Sequence, residues 1–247
     1  MILAIIPVRY ASSRFPGKPL ALIHGKPMIQ RVHEQAMKCV SLNKVIVATD
    51  DERIEAAVNE FGGEVIITSS EHQSGTERCA EVISKVSGHF SVVINIQGDE
   101  PFVFPEQVEL LCSCFQNQST QIATLIKRIT RNDELFNPNV VKVVRAENGD
   151  ALYFSRSSIP HHRDVFADYW VNMGIYYRHL GIYGYRKEVL EAIVKLPMNE
   201  LEKAESLEQL RWLTNGFRIQ TAITDLETIS IDTAEDLQRA EKFHHEK

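Results

Sequence analysis

The sequence predicts an α/β protein with a central, mostly parallel sheet flanked by helices, and three observations predict it. Short apolar runs recur at Ile2–Ile6, Lys44–Ala48 and Ser91–Ile96, apolar on both faces as strands buried on both sides are. Segments with helical spacing lie between them. Each run also ends in a loop rich in Gly, Pro or polar residues, so the order reads βαβαβ, the pattern of a parallel sheet with helical crossovers.

The 247 residues are 44% hydrophobic and 24% charged, with a net charge of −6. That composition suits one large α/β domain or two small ones. The acidic balance gives no support to a nucleic-acid partner, which calls for a basic surface. No apolar run approaches the roughly 20 residues of a membrane span. The N-terminus lacks the basic region of a signal peptide. Of four cysteines only Cys112 and Cys114 are close, and no second cluster completes a zinc site. Reduced thiols and a cytoplasmic location are the expectation.

The first strand runs into Pro7–Leu20, where Arg9, Arg14 and Lys18 stand among Ser12, Ser13 and Gly17. In an open α/β sheet this loop lies where ligands bind. Three cations among free N–H groups suit a polyphosphate. Gly17-Lys18-Pro19 does not fit a Walker loop, and no G-x-G-x-x-G occurs. Pro27–Cys39 reads as a helix. Thr49-Asp50-Asp51-Glu52 reads as a capping box opening a helix to Phe61, and Glu64–Thr68 as a third strand. Ser74-Gly75-Thr76 reads as a helix start with Arg78 one turn in; alone, it is equally a plain N-cap. Asp99, after Gln97-Gly98 at the end of the Ser91–Ile96 strand, is placed to hold Mg²⁺ against phosphates, or merely to shape a turn.

Pro105–Phe115 reads as a helix, and Ile122–Thr130 and Val140–Ala146 as strands. The Asn148-Gly149 turn leads to Ala151–Ser155, an antiparallel excursion. His161–Tyr177, dense in aromatics, reads as a lid or a partner-facing surface, the latter favoured because interfaces are enriched in aromatics. A strand at Arg178–Arg186 puts His179, Gly181 and Tyr183 on one face, either a sugar site or a core pair. Lys187–Leu196 and Leu201–Thr214 read as helices. Phe217–Ile223 reads as a strand, and Thr233–Asp236 as the capping box of a last helix, with Asp232 free to shape its turn.

Several of these stretches carry a shared resemblance. The loop keeps Arg9, Ser12, Arg14, Pro16, Gly17, Lys18, Pro19 and Leu20 of the pattern P-A-R-x-x-S-x-R-x-P-G-K-P-L, with Val8 for the Ala. H-Q-S-G-T, Q-G-D-E-P, A-L-Y-F-S-R, R-H-L-G-I-Y-G-Y-R and L-E-Q-L-R follow in order. The chain thus resembles the sugar-nucleotide cytidylyltransferases, and within them the 3-deoxy-manno-octulosonate (KDO) cytidylyltransferases, along nearly its whole length. In the last motif, G-[IV]-D-T-P-E-D-L, Ser230 replaces the Gly and Ala234 the Pro. The Ser narrows the approach to Asp232.

The resemblance implies a Rossmann-like nucleotidyltransferase fold, residues 1–247 forming a single domain with an excursion at roughly 121–185. It also implies transfer of the cytidylyl group of CTP to the anomeric hydroxyl of KDO, releasing pyrophosphate. Lys18, Asp99 and Asp232 are then catalytic, and both Asp side chains are ligands to Mg²⁺. Arg9, Ser12, Arg14, Lys18, Gln73, Ser74, Gly75 and Arg78 hold the nucleotide. Gln97, Arg156, His179, Tyr183, Glu208 and Gln209 hold the sugar acid, with Arg156 on its carboxylate. A homodimer through the aromatic stretch is expected. A nucleotide-binding regulator without catalysis is disfavoured by the pair Asp99 and Asp232. A glycosyltransferase is disfavoured because no D-x-D motif follows Asp51 or Asp99.

Overall fold

The computed structural model describes residues 1–11, 15–228 and 230–242. Along the chain come β1 (Ile2–Pro7), β2 (Leu22–Ile23), β3 (Lys26–Pro27), α1 (Met28–Met37), β4 (Lys44–Thr49), α2 (Glu52–Glu60), β5 (Val65–Ile67), α3 (Gly75–Lys85), β6 (Val92–Asn95) and α4 (Pro105–Ser113). Then follow β7 (Ile122–Arg128), α5 (Asn132–Leu135), β8 (Lys142–Arg145), β9 (Ala151–Ser155), β10 (Tyr177–Arg186), α6 (Lys187–Ile193), α7 (Glu200–Glu205), α8 (Gln209–Thr214), β11 (Ile219–Ile223) and α9 (Ala234–Lys242). The chain divides into two compact units, residues 1–112 with 227–247, and residues 113–226.

In the first unit β6, β1, β4 and β5 lie side by side and parallel. Their residues are apolar because both faces are covered; Leu3, Ala4, Ile5 and Ile6 are fully buried. The parallel expectation holds here, and the strand carboxyl ends point to one side. His24 and Gly25, both at positive φ, turn β2 into the antiparallel β3. This hairpin was not expected from the sequence. Ile23, Met28 and Phe102 pack with Ile231 and Ala240 of the returning C-terminal segment. That cluster fixes where Asp232 emerges.

Helix α2 is capped differently from the expectation. Asp51, not Thr49, is its N-cap and accepts from the Arg53 N–H. Thr49 is the last residue of β4, and its Oγ1 accepts from the N–H of the cap residue Asp51 at 3.3 Å rather than from a helix N–H.

In the second unit β11 runs parallel to β7, whereas β7–β10, β10–β8 and β8–β9 are antiparallel. The expected antiparallel hairpin is therefore β8–β9. Its turn is tied to β11 by the Thr221 N–H on the Gly149 carbonyl at 2.8 Å. One expectation is corrected here. Leu201–Thr214 is two helices rather than one: α7 ends at Ser206, whose φ is +52°. In the aromatic stretch, Trp170 and Tyr176 stack inside this unit (6.0 Å, 5°) and are buried, while Phe166 and Tyr169 are exposed. Among the described residues, no helix is long and apolar enough to cross a membrane.

Candidate active site

Three charged side chains meet beyond the strand ends of the first unit. The chain leaves β1 through Val8 and Arg9 and enters a 3₁₀ turn at Lys18–Leu20. The Lys18 ammonium sits 2.8 Å from Asp99 Oδ2 and 3.2 Å from Asp232 Oδ1. Asp99 follows β6, and its carbonyl accepts from the Ile231 N–H at 2.9 Å, which brings Asp232 alongside. Asp236 Oδ2 accepts from the Thr233 N–H while Thr233 Oγ1 accepts from the Asp236 N–H. The expected capping box thus forms, and the Asp232 N–H joins it at 3.1 Å.

Two carboxylates and one ammonium leave the node one charge negative. Oxygen donors of this kind suit a hard divalent cation, which commonly takes one or two carboxylates together with phosphate oxygens. Asp99 and Asp232 therefore fit such an ion. Among the described residues, no group of three or more His, Cys, Asp or Glu is placed to hold a metal.

The node opens on a cleft of about 280 Å³, lined by Arg9, Lys18, Gln73, Ser74, Gly75, Arg78, Gln97, Asp99 and Asp232. These predicted residues share one pocket. Ser12 and Arg14, predicted with them, lie outside the described residues. Close approach here depends on Gly98: a Cβ at that position would lie 2.0 Å from Val8 Cγ1 and 3.3 Å from the Pro7 carbonyl.

The wall opposite the node is the start of α3. Ser74 is its N-cap and accepts from the Glu77 N–H at 3.2 Å, while Glu77 accepts from the Gln73 N–H at 2.7 Å. The helix end thus turns its positive dipole to the cleft. Arg78, 4% exposed, bonds Thr68 Oγ1 and stands 3.5 Å from Asp50 Oδ1. It anchors the helix to the neighbouring strand ends while lining the cleft. His72, which sequence reasoning passed over, also lines it; its Nε2 meets Glu81 and its Nδ1 lies 3.7 Å from Glu77. Partial burial would raise the Glu81 carboxyl. Hydrogen bonds from Lys85, the Ser69 N–H and His72 outweigh it and hold the group down to about 2.

The remaining predicted residues belong to the second unit. The rings of His179 and Tyr183 lie 5.1 Å apart. Tyr183 meets Trp212 of α8 edge-on at 5.2 Å, next to the turn carrying Glu208 and Gln209. Burial drives the His179 imidazole down to about 3 and the Tyr183 phenol well up, the latter aided by the Glu208 charge. Glu208 pairs with Arg211 at 2.6 Å. Gln209 is 5% exposed. Arg156 donates to the carbonyls of Glu205 (2.7 Å), Pro138 (3.2 Å) and Ser206 (3.4 Å). Those bonds use three of the five N–H donors of a guanidinium and cap the end of α7.

The sequence model described as "Cytidylyltransferase" matches residues 3–229. The chain belongs to the cytidylyltransferase family. A 3-deoxy-manno-octulosonate cytidylyltransferase of Bacteroides thetaiotaomicron is 54% identical over 244 residues, 98% of this chain and 97% of that protein. A solved structure of CMP:2-keto-3-deoxy-manno-octonic acid synthetase complexed with CTP superposes with a TM-score of 0.90. Its identity is 44%, over 98% of this chain and 97% of that one. A glucose-1-phosphate thymidylyltransferase structure from Bacillus anthracis (TM-score 0.66, 18% identity, 98% of this chain and 94% of that one) shares the fold. The nucleotidyltransferase fold class is thereby established.

Proposed function

We propose that the chain transfers the cytidylyl group of CTP to the anomeric hydroxyl of KDO, giving CMP-KDO and pyrophosphate. The observation that carries the reading is the Lys18 ammonium held between Asp99 and Asp232 at the strand ends of a chain this similar to KDO cytidylyltransferases. The product is the activated sugar of lipopolysaccharide assembly.

In this reading Arg9, Ser12, Arg14 and Lys18 bind the triphosphate, and Lys18 neutralises charge that develops as the pyrophosphate leaves. Gln73, Ser74, Gly75 and Arg78 hold cytosine and ribose, with the α3 N–H groups and backbone carbonyls reading the base. Asp99 and Asp232 hold Mg²⁺, which when bound would screen the phosphates and lower the pKa of a nearby hydroxyl. Gln97, His179, Tyr183, Glu208 and Gln209 hold the hydroxyls of the sugar acid. Arg156 keeps two N–H groups for its carboxylate, its plane already set by the three carbonyls. The reaction rests on positioning and charge stabilisation, with no covalent intermediate on the protein.

Residues 1–247 act as one catalytic domain in the cytoplasm. Two copies pair through the apolar side chains exposed at Phe166, Tyr169, Met173 and Ile175. Pyrophosphate release, measured with each nucleoside triphosphate and with and without KDO and Mg²⁺, tests the function. Release is expected with CTP, KDO and Mg²⁺ together. Equal release from other triphosphates, or release that ignores KDO, overturns it. Light scattering at micromolar concentration tests the pairing, and a monomer refutes it.

A further inference from the structure

Thr124 of β7 is fully buried and faces an irregular stretch of β10. There β10 advances three residues, Leu180 to Tyr183, while β7 moves one, Leu125 to Thr124. Two carbonyls of that stretch turn to one oxygen: Ile182 O lies 2.7 Å and Leu180 O 3.1 Å from Thr124 Oγ1. His179 Nε2 approaches the same Oγ1 at 3.1 Å.

A hydroxyl has one proton to donate and two lone pairs to accept with, and a carbonyl oxygen only accepts. The Thr124 proton therefore goes to a carbonyl, Ile182 O being the nearer. If it went to His179 instead, both carbonyls would face a lone pair at hydrogen-bond distance in a buried site, which is costly. Oγ1 is thus the acceptor and Nε2 the donor. Burial keeps the ring neutral, with its pKa down at about 3, so Nδ1 carries a lone pair. Phe154 meets the ring edge-on at 5.2 Å and Tyr183 lies tilted against it at 5.1 Å, which holds its orientation.

We infer that Thr124 is a positioning residue: it locks His179 in the Nε2–H tautomer, so that Nδ1 accepts a hydrogen bond from a hydroxyl of the sugar acid. That Nε2 is the donor stands on the geometry; the ligand rests on the function proposed above. A site that must recognise a hydroxyl-rich substrate gains from an imidazole that can only accept at Nδ1, because the substrate hydroxyl then has one orientation.

Long-range ¹⁵N–¹H NMR on ¹⁵N-histidine protein, assigned by the signal lost in His179→Gln, reads the tautomer without substrate. The wild type should show Nε2–H, and Thr124→Ser should keep it. Thr124→Val should lose the single tautomer and raise KM for KDO about tenfold, the worth of one hydrogen bond, with KM for CTP unchanged. A wild-type Nδ1–H or imidazolium signal overturns the inference without any variant, and decides the matter if Thr124→Val does not fold. A Thr124→Val protein with the wild-type tautomer, or with an unchanged KM for KDO, overturns it too. Failure of the functional reading is separate: it appears as wild-type protein that releases no pyrophosphate in response to KDO.

Discussion

Asp99 and Asp232 are held close enough that one ammonium reaches both, so their like charges repel. Lys18 relieves that repulsion from within the protein, on the same oxygens a divalent ion would use. Metal and ammonium are therefore competitors for the pair. Replacing Lys18 by Gln should tighten Mn²⁺ binding several-fold in the absence of nucleotide, read by calorimetry, while weakening CTP. Metal binding unchanged or weakened in a folded Lys18→Gln protein would show that the ammonium and the ion do not compete. Asp99→Asn keeps volume and removes charge, so it should lower kcat by at least about a hundredfold with an unaltered circular dichroism spectrum. At this scale much of the cleft was legible, because Lys18, Asp99 and Asp232 sit in motifs whose chemistry is local. Thr124 was not. A threonine in an apolar strand gives no signal until the register of β10 shows two carbonyls and an imidazole converging on it.

Elements bring the loops close, and at Gly98 the closeness has a measurable cost. An alanine there would set its Cβ 2.0 Å from Val8 Cγ1. Gly98→Ala should therefore destabilise the protein by about 1–3 kcal/mol, the usual penalty of overpacking, and depress activity by shifting Asp99. Val8→Ala removes the clashing methyl groups, so the double variant should recover part of the loss. A denaturation cycle that shows strictly additive effects would mean the two loops do not touch. The parallel strands and most helix starts were readable, since apolar runs and capping patterns are properties of a few adjacent residues. The breaks were harder. Nothing local marks Ser206 as the end of α7; the chain turns there into the left-handed region, and Arg156, fifty positions earlier, holds the carbonyls of Glu205 and Ser206. The α2 cap falls on Asp51 rather than Thr49 because Thr49 still belongs to β4.

Across the whole molecule, the chain leaves the first unit after Cys112 and returns at Glu227, with no linker or change of composition to mark either passage. Each unit carries groups whose protonation the folded state resists, and together they shape the acid side of the stability curve. In the second unit His179 is held at about 3 by burial, against an ordinary value of 6.5. Between those values the unfolded chain takes up a proton that the folded chain refuses, so stability falls as pH drops from about 6.5 toward 3. The slope is up to about 1.4 kcal/mol per pH unit. In the first unit burial also lowers His33, with Glu34 opposing, and the sign is the same. Glu81, held at about 2 against 4.5, favours the folded state above pH 4.5 and loses that contribution as pH falls from 4.5 toward 2. Acid unfolding should thus begin near pH 6.5 and steepen below 4.5. His179→Gln, which keeps a donor for Thr124 Oγ1, should flatten the upper part, and Glu81→Gln the lower. Urea denaturation of the wild type and both variants at pH 7, 5.5, 4.5 and 3 separates the two. Were His179→Gln and the wild type to lose equal stability between pH 7 and 5.5, the imidazole would not be the group that refuses the proton.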